Sequence, residues 1–231
     1  MNCIKNKVYI LLLLITYAFP LGGIGVSFLN NIISYDGTES DGNFNLSYQD
    51  NNGLESGGNI FIYFDALPMD LAIEYSKEVK WQELNLTIDF NDNEFTNPSY
   101  AGRSSDYLTI RKDVIDLSIP VLAKVALSFG GGINKHESIV PSIALLKDIY
   151  DVTDIDYLYN EAEEVWDENA IYDAFTDHSM DASGLHIQCG VQAKVLMLNA
   201  FINAKYTFII KDDNNSIQNF PGFTIGLAYG I

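Results

Sequence analysis

The segment Phe220–Ile231, FPGFTIGLAYGI, divides its residues into two unequal sets. Successive side chains of an extended strand point to opposite sides. Phe223, Ile225, Leu227, Tyr229 and Ile231 therefore share one face, and Gly222, Thr224, Gly226, Ala228 and Gly230 share the other. A strand of a soluble sandwich turns apolar bulk to its core and polar groups to water; here the second face is neither polar nor bulky. A narrow closed barrel resolves the conflict. Small groups fit a lumen filled by longer side chains from other strands, and the bulky face points outward, which is favourable where outside means hydrocarbon. A glycine-rich strand of an ordinary soluble sheet is the competing reading.

The rest of the chain must then cross a membrane as strands or not at all. Its start, residues 1–18, sets Lys5 and Lys7 ahead of an apolar run from Val8 to Ile15, the pattern of an export signal. Pro20, Gly22 and Gly23 end that run too soon for a spanning helix. Cleavage after Ala18 leaves a single barrel domain over 22–231, with Cys189 as its one cysteine, which excludes an intramolecular disulfide framework and a thiolate zinc cluster. With 13 Lys and Arg against 31 Asp and Glu, the formal charge of −18 excludes nucleic acid as a partner.

Alternation recurs along the chain. Ile24, Val26 and Phe28 oppose Gly25, Ser27 and Leu29. A polar loop over 35–56 contains a short hairpin around Phe44, Leu46 and Tyr48. Strand 57–66 has an apolar NIFIYF core, and after the Leu67–Pro68 turn the next strand sets Leu71, Ile73, Tyr75, Val79 and Trp81 against Asp70, Ala72, Glu74, Ser76, Glu78 and Lys80. At Leu84, Leu86, Ile88 and Phe90 the apolar residues move to even positions, which predicts a bulge near Gln82 or Glu83, or a new strand. Residues 91–105 read as a polar connection, 106–122 as a strand interrupted by Pro120, Ala123 and Lys124 as a tight turn, and 125–133 as a strand with Val125, Leu127, Phe129 and Ile133 outward. The insertion 141–182 carries twelve acids against Lys147, with helical spacing over Ile143–Tyr150 and again from Tyr157 to Glu168. Two further strands, 184–193 and 198–210, lead through a loop over 211–219 to the terminal strand. Short connections near 67, 123 and 196 alternate with long polar ones, the rhythm of periplasmic turns and extracellular loops. The reading is all-β: an eight-stranded antiparallel up-and-down transmembrane β-barrel, with ten strands as the alternative count.

The leader, the IYFDALPMDLAIEYS hairpin at 62–76, DLSIPVLAKVAL at 116–127 and GFTIGLAYGI at 222–231 give the chain a resemblance to the small outer-membrane β-barrel family of diderm bacteria, the OmpX-like and porin-like barrels. It departs from that family in ending on Ile231 where members often end on phenylalanine, and in its acidic insertion. The resemblance implies an outer-membrane location, contact with outer-membrane lipid, and passage through periplasmic chaperones and the barrel-assembly machinery.

Chemistry-bearing patterns are sparse. There is no phosphate-cradling glycine loop, no HExxH and no nucleophile elbow. No catalytic, cofactor-binding or metal-binding residue is assigned, and the acidic insertion lacks the spacing of a calcium loop. His186, expected inward near Lys205 or Glu74, is the one candidate general base, and it reads as a structural lumen residue. Glu74, Asp70, Asp116, Lys194 and Lys205 read as an ion-paired plug, and Trp81, Tyr75, Tyr229 and Tyr206 as belt aromatics. The function expected is non-enzymatic, structural or surface-interacting. A lipocalin-like ligand-binding barrel and a barrel enzyme are the alternatives.

Overall fold

In the computed structural model the described residues are 22–67, 69, 71–90, 93–119, 123–149, 168–212 and 217–230. The expected leader, Asp70, Pro120 and the helical stretch around Tyr157–Val165 lie outside them. The strands are β1 (Gly22–Ile32), β2 (Asp36–Asp41), β3 (Phe44–Asp50), β4 (Leu54–Leu67), β5 (Leu71–Phe90), β6 (Asn93–Ile119), β7 (Ala123–Ile139), β8 (Met180–Val195), β9 (Leu198–Asp212) and β10 (Phe220–Gly230). Two helices, α1 (Ile143–Ile149) and α2 (Glu168–Asp177), fall between β7 and β8.

Eight strands close into an antiparallel ring, β1-β4-β5-β6-β7-β8-β9-β10, and β10 returns to β1 through pairs such as Gly23–Gly230 and Phe28–Ile225. The other two form a hairpin, with Gly42 at φ 60° in its turn, that hangs on the ring through β3 and β5. The wall therefore has the eight strands of the main count and not ten; among the described residues the two further strands are the β2–β3 hairpin outside the ring. Cross-strand partners of Lys77 followed through β4, β1, β10, β9 and β8 arrive at Val125 on β7, whereas the short way through β6 arrives at Lys135, ten residues further along. That stagger tilts the strands and fixes a narrow lumen.

The wall has the orientation expected from the terminal strand. Phe28 (83% exposed), Ile225 (64%) and Leu227 (68%) face outward, with Ile60, Ile62, Ile187 and Ile202 among others completing the band. The bare inward face of β1 and β10 is explained by what fills the lumen beside it. A Cβ on Gly23 would lie 2.7 Å from the Tyr63 hydroxyl, and one on Gly25 would collide with the Phe61 ring.

Three expectations are corrected. No bulge interrupts β5 near Gln82, since its pairing with β6 runs unbroken from Leu71–Lys112 to Phe90–Asn93. The residues change character because the surroundings change. Up to Trp81 the odd positions face outward and, Lys77 apart, are apolar, while the even ones face the lumen. From Leu84 on, the same even face is apolar, with Leu84 buried under the barrel mouth and Leu86, Ile88 and Phe90 packed with Phe44, Leu46 and Ile143. The odd face is now Glu83, Asn85, Thr87 and Asp89. Above the hydrocarbon the outside is water, so the apolar face turns inward as in any soluble sheet. Second, the polar stretch 91–105 is mostly strand, because β6 begins at Asn93 and pairs with the upper part of β5. Third, Ala123 and Lys124 are paired on both sides, to Ile119 and Ser118 and to Val195 and Lys194, and are not a turn. The bulges fall between Phe64 and Leu67 on β4, between Asp113 and Ile115 on β6, and at Ile210 on β9, opposite Ser183 and Gly184.

Candidate functional site

Inward positions of the wall are polar, and their charges are paired at three levels. At the outer mouth Arg103 of β6 grips Glu55 of β4 with two bonds, Nε to Oε1 at 3.0 Å and Nη2 to Oε2. Asn31 Nδ2 donates to the same carboxylate at 2.8 Å and the Tyr35 hydroxyl at 3.2 Å. Burial raises the Tyr35 phenol above its ordinary value, with the Arg103 charge opposing, so that it stays a donor. The Arg103 guanidinium also lies 4.1 Å over the Phe220 ring.

At mid-lumen Glu78 takes Lys205 at 2.5 Å and Lys80 at 2.8 Å. Lys205 Nζ sits 3.3 Å from the centre of the Tyr107 ring, against whose edges His136 and His186 pack. At the inner end Asp65 bridges Arg111 (2.8 Å) and Lys194, and Glu74 stands 3.8 Å from Arg111. Alternation had marked Glu74, Glu78, Lys80, Lys194 and Lys205 as inward. It missed Glu55 and Arg103, which lay in segments read as loops, His136, which lies past the strand read over 125–133, and Arg111 and Asp65, which meet across non-adjacent strands. Asp116 is a further correction: it is half exposed and 3.6 Å from Lys124 at the rim, outside the plug.

Apolar layers close both ends. Ile33, Tyr35, Leu84, Ala101, Val140, Ala182, Ile217 and Phe220 form a stopper at the outer mouth, and Phe61, Tyr63, Phe201 and Ala228 form one at the other end. The cavity between Glu74, Glu78, Tyr107 and Lys205 holds about 20 Å³, room for roughly one water molecule. No ligand-sized chamber exists there, and the bulky faces of β9 and β10 point out, which removes the lipocalin-like alternative.

The lumen contains one constellation that resembles hydrolytic machinery. Ser105 Oγ lies 2.7 Å from His136 Nδ1, and His136 Nε2 lies 2.9 Å from Asn134 Oδ1. General-base activation of a serine needs that geometry and also access for an acyl group. Here Ser105 is 1% exposed, His136 is 0% exposed, and Lys80 Nζ donates to Ser105 Oγ at 2.8 Å. These groups bond to one another as a buried network, with Asn134 Nδ2 the one of their nitrogens left without a partner among the described residues. His186 contacts neither Glu74 nor Lys205 as its hydrogen-bond partner; its Nε2 pairs with Thr109 Oγ1 at 2.9 Å. Among the described residues no group of three or more His, Cys, Asp or Glu is arranged to hold a metal ion.

The charge of the chain lies elsewhere. Segments 36–50, 83–94, 137–181 and 212–213 carry four, four, thirteen and two acids respectively, and the only Lys or Arg among them is Lys147. The lumen, by contrast, sets Glu55, Asp65, Glu74 and Glu78 against Lys80, Arg103, Arg111, Lys194 and Lys205. The outer cap is built on β2 and β3. Glu39 accepts the Ile143 amide at 2.7 Å at the start of α1, Ser142 Oγ accepts that of Leu145 at 3.1 Å, and Lys147 reaches Asp41 at 2.5 Å. Ile143 packs with Phe44 and Leu46 beneath them.

A closed ring of eight strands with a lipid-facing wall and a plugged polar lumen defines a small transmembrane β-barrel of the outer-membrane type. Trp81, Tyr75, Tyr229 and Tyr206 all stand on its outer face. No protein-family model matches the sequence, and no curated protein matches it. Among solved structures, Ail, the attachment invasion locus protein of Yersinia pestis, crystallised with the heparin analogue sucrose octasulfate, is similar at 10% identity over 91% of this chain and 97% of that one, with a TM-score of 0.43. The β domain of the Bordetella autotransporter BrkA is similar at 9% identity over 91% of this chain and 100% of that one, with a TM-score of 0.31. At such TM-scores the likenesses add no weight to the ring closure itself.

Proposed function

We propose that the protein is a non-enzymatic surface-interaction barrel, a single domain over 22–231 exported by its leader and inserted by the barrel-assembly machinery with periplasmic chaperones, that presents a rigid acidic cap to cationic partners. The observation that carries this reading is the continuation of β5 and β6 beyond the lipid band into a sheet with β2 and β3, topped by α1. A chain that served only as a plug in the membrane would gain nothing from extending its strands into water. Ordered strands hold exposed acids such as Glu83 and Glu94 in fixed positions, which long loops would not. The closed lumen argues against transport, and the buried Ser105–His136–Asn134 network against catalysis. A polyanion of the kind crystallised with Ail would meet repulsion from this surface.

The test is binding to proteoliposomes. Polylysine is expected to be retained, with retention falling as salt rises, and heparin is expected not to be. Glu83→Gln with Glu94→Gln should weaken polylysine retention. Equal retention of heparin and polylysine, or indifference to both substitutions, would overturn the proposal.

A further inference from the structure

Glycines of the described strands that face outward among bulky neighbours differ: a Cβ on Gly131 of β7, between Ile110 and Ile187, would press on the His186 carbonyl oxygen at 2.8 Å. Gly58 of β4 faces outward between its cross-strand partners Phe28 and Val79. Most glycines of the barrel are demanded by close packing: a Cβ at Gly132 would run into the Leu108 carbonyl oxygen, and one at Gly184 into that of Phe208. At Gly58 a Cβ meets only the Ser27 carbonyl oxygen at 3.6 Å, an ordinary contact. The fold does not require glycine there, yet its absence of a side chain opens a groove of about 630 Å³ in the apolar wall, lined by Val26, Phe28, Ile60, Val79 and Leu227, with Lys77 at its margin. An adjoining hollow extends it past Phe28 and Val79 to Trp81. Its volume falls within the roughly 300–1,000 Å³ of small-molecule sites.

Polar groups frame the upper part of this groove. Ser56 Oγ donates to Asn30 Oδ1 at 2.8 Å on one side. On the other, Lys77 Nζ lies 3.3 Å from Asp106 Oδ2, and the Tyr75 hydroxyl donates to Asp106 Oδ1 at 2.5 Å. Lys77 and Asp106 are 55% and 36% exposed in their side chains, on the lipid side of the wall. Charges there are tolerated at headgroup depth and costly below it. A purely anionic headgroup drawn to Lys77 would be repelled by Asp106, its neighbour. A zwitterionic headgroup bearing both a phosphate and a primary ammonium complements the two at once.

We propose that this groove binds one phosphoethanolamine glycerolipid, with an acyl chain lying over Gly58, its phosphate on Lys77 and its ammonium on Asp106. The occupant is a lipid because the groove opens onto hydrocarbon, and the paired charges select its headgroup.

Native mass spectrometry of the folded full chain, loaded with dioleoyl phosphoethanolamine, phosphoglycerol or phosphocholine lipid in parallel, tests this. The wild type should retain the phosphoethanolamine lipid above the other two. Gly58→Leu, whose folding is checked by heat-modifiable migration, should lower retention about tenfold, equivalent to withdrawing about two methylenes from apolar contact. Gly58→Val fills the same space with a smaller group if the leucine variant does not assemble. Lys77→Gln should abolish the preference among headgroups while leaving chain retention. Unchanged retention in the Gly58 variants, or equal retention of the three lipids by the wild type, overturns the assignment. A dimer that dissociates in Gly58→Leu also overturns it, giving the groove to a second copy of the chain.

Discussion

Replacing Arg103 by methionine tests whether the lumen is a network of mutually dependent charges. Arg103 and Glu55 are 2% and 1% exposed. The substitution keeps the apolar stem but leaves Glu55 as a buried carboxylate held only by Asn31 and Tyr35. Breaking a buried pair in this one-sided way costs about 3–5 kcal/mol. The lost contact with the Phe220 ring adds roughly 0.5–2 kcal/mol. Removing the stranded charge as well, with Glu55→Gln in the Arg103→Met background, should recover about 2 kcal/mol, since an amide is far cheaper to bury than an unpaired carboxylate. The assay is urea unfolding in lipid vesicles, followed by tryptophan emission and by heat-modifiable migration. The loss in Arg103→Met should also shrink in acid, where the isolated carboxyl takes up a proton. The reasoning fails if the single variant loses less than about 1 kcal/mol, or if the two substitutions add within about 0.5 kcal/mol, the behaviour of sites that do not interact.

Ile225→Arg places a charge on the lipid face and should cost about 2–4 kcal/mol in a bilayer. Glu83→Arg, on the same wall above the inversion at Trp81, should stay within about 0.5 kcal/mol; equal losses by unfolding would refute the boundary. Ile143→Asp puts a carboxylate against Phe44 and Leu46. It should expose the insertion between β7 and β8 to protease while leaving the heat-modifiable barrel intact, and an unaltered digestion pattern would show that α1 is not docked by that contact.

Much of the wall was legible in the sequence because a strand's two faces are written in alternate residues. The bare face of Gly222, Gly226 and Ala228 against Phe223, Ile225 and Leu227 already required a narrow lumen on one side and hydrocarbon on the other. The same logic placed Glu78, Lys80, Lys194 and Lys205 inward. It failed at Leu84. Alternation reports that faces differ, while which face is apolar depends on the medium at that height, and at Leu84 the medium changes from lipid to water. Read as a shift of register, that change cost the sequence reading the continuity of β5 and hid the strand character of 93–105, and with it Arg103.

Which charges meet was decided by tertiary structure. Glu55 and Arg103 are 48 residues apart, and Lys205 and Glu78 are 127 apart. Their meeting depends on the stagger of ten residues around the ring, a property of closure that no single strand contains. Local pattern determined that this chain must turn its bulk outward around a thin polar interior. Closure alone decided that the interior is plugged, because only when the eight strands meet do opposite charges from distant segments come within bonding distance and exclude water between them.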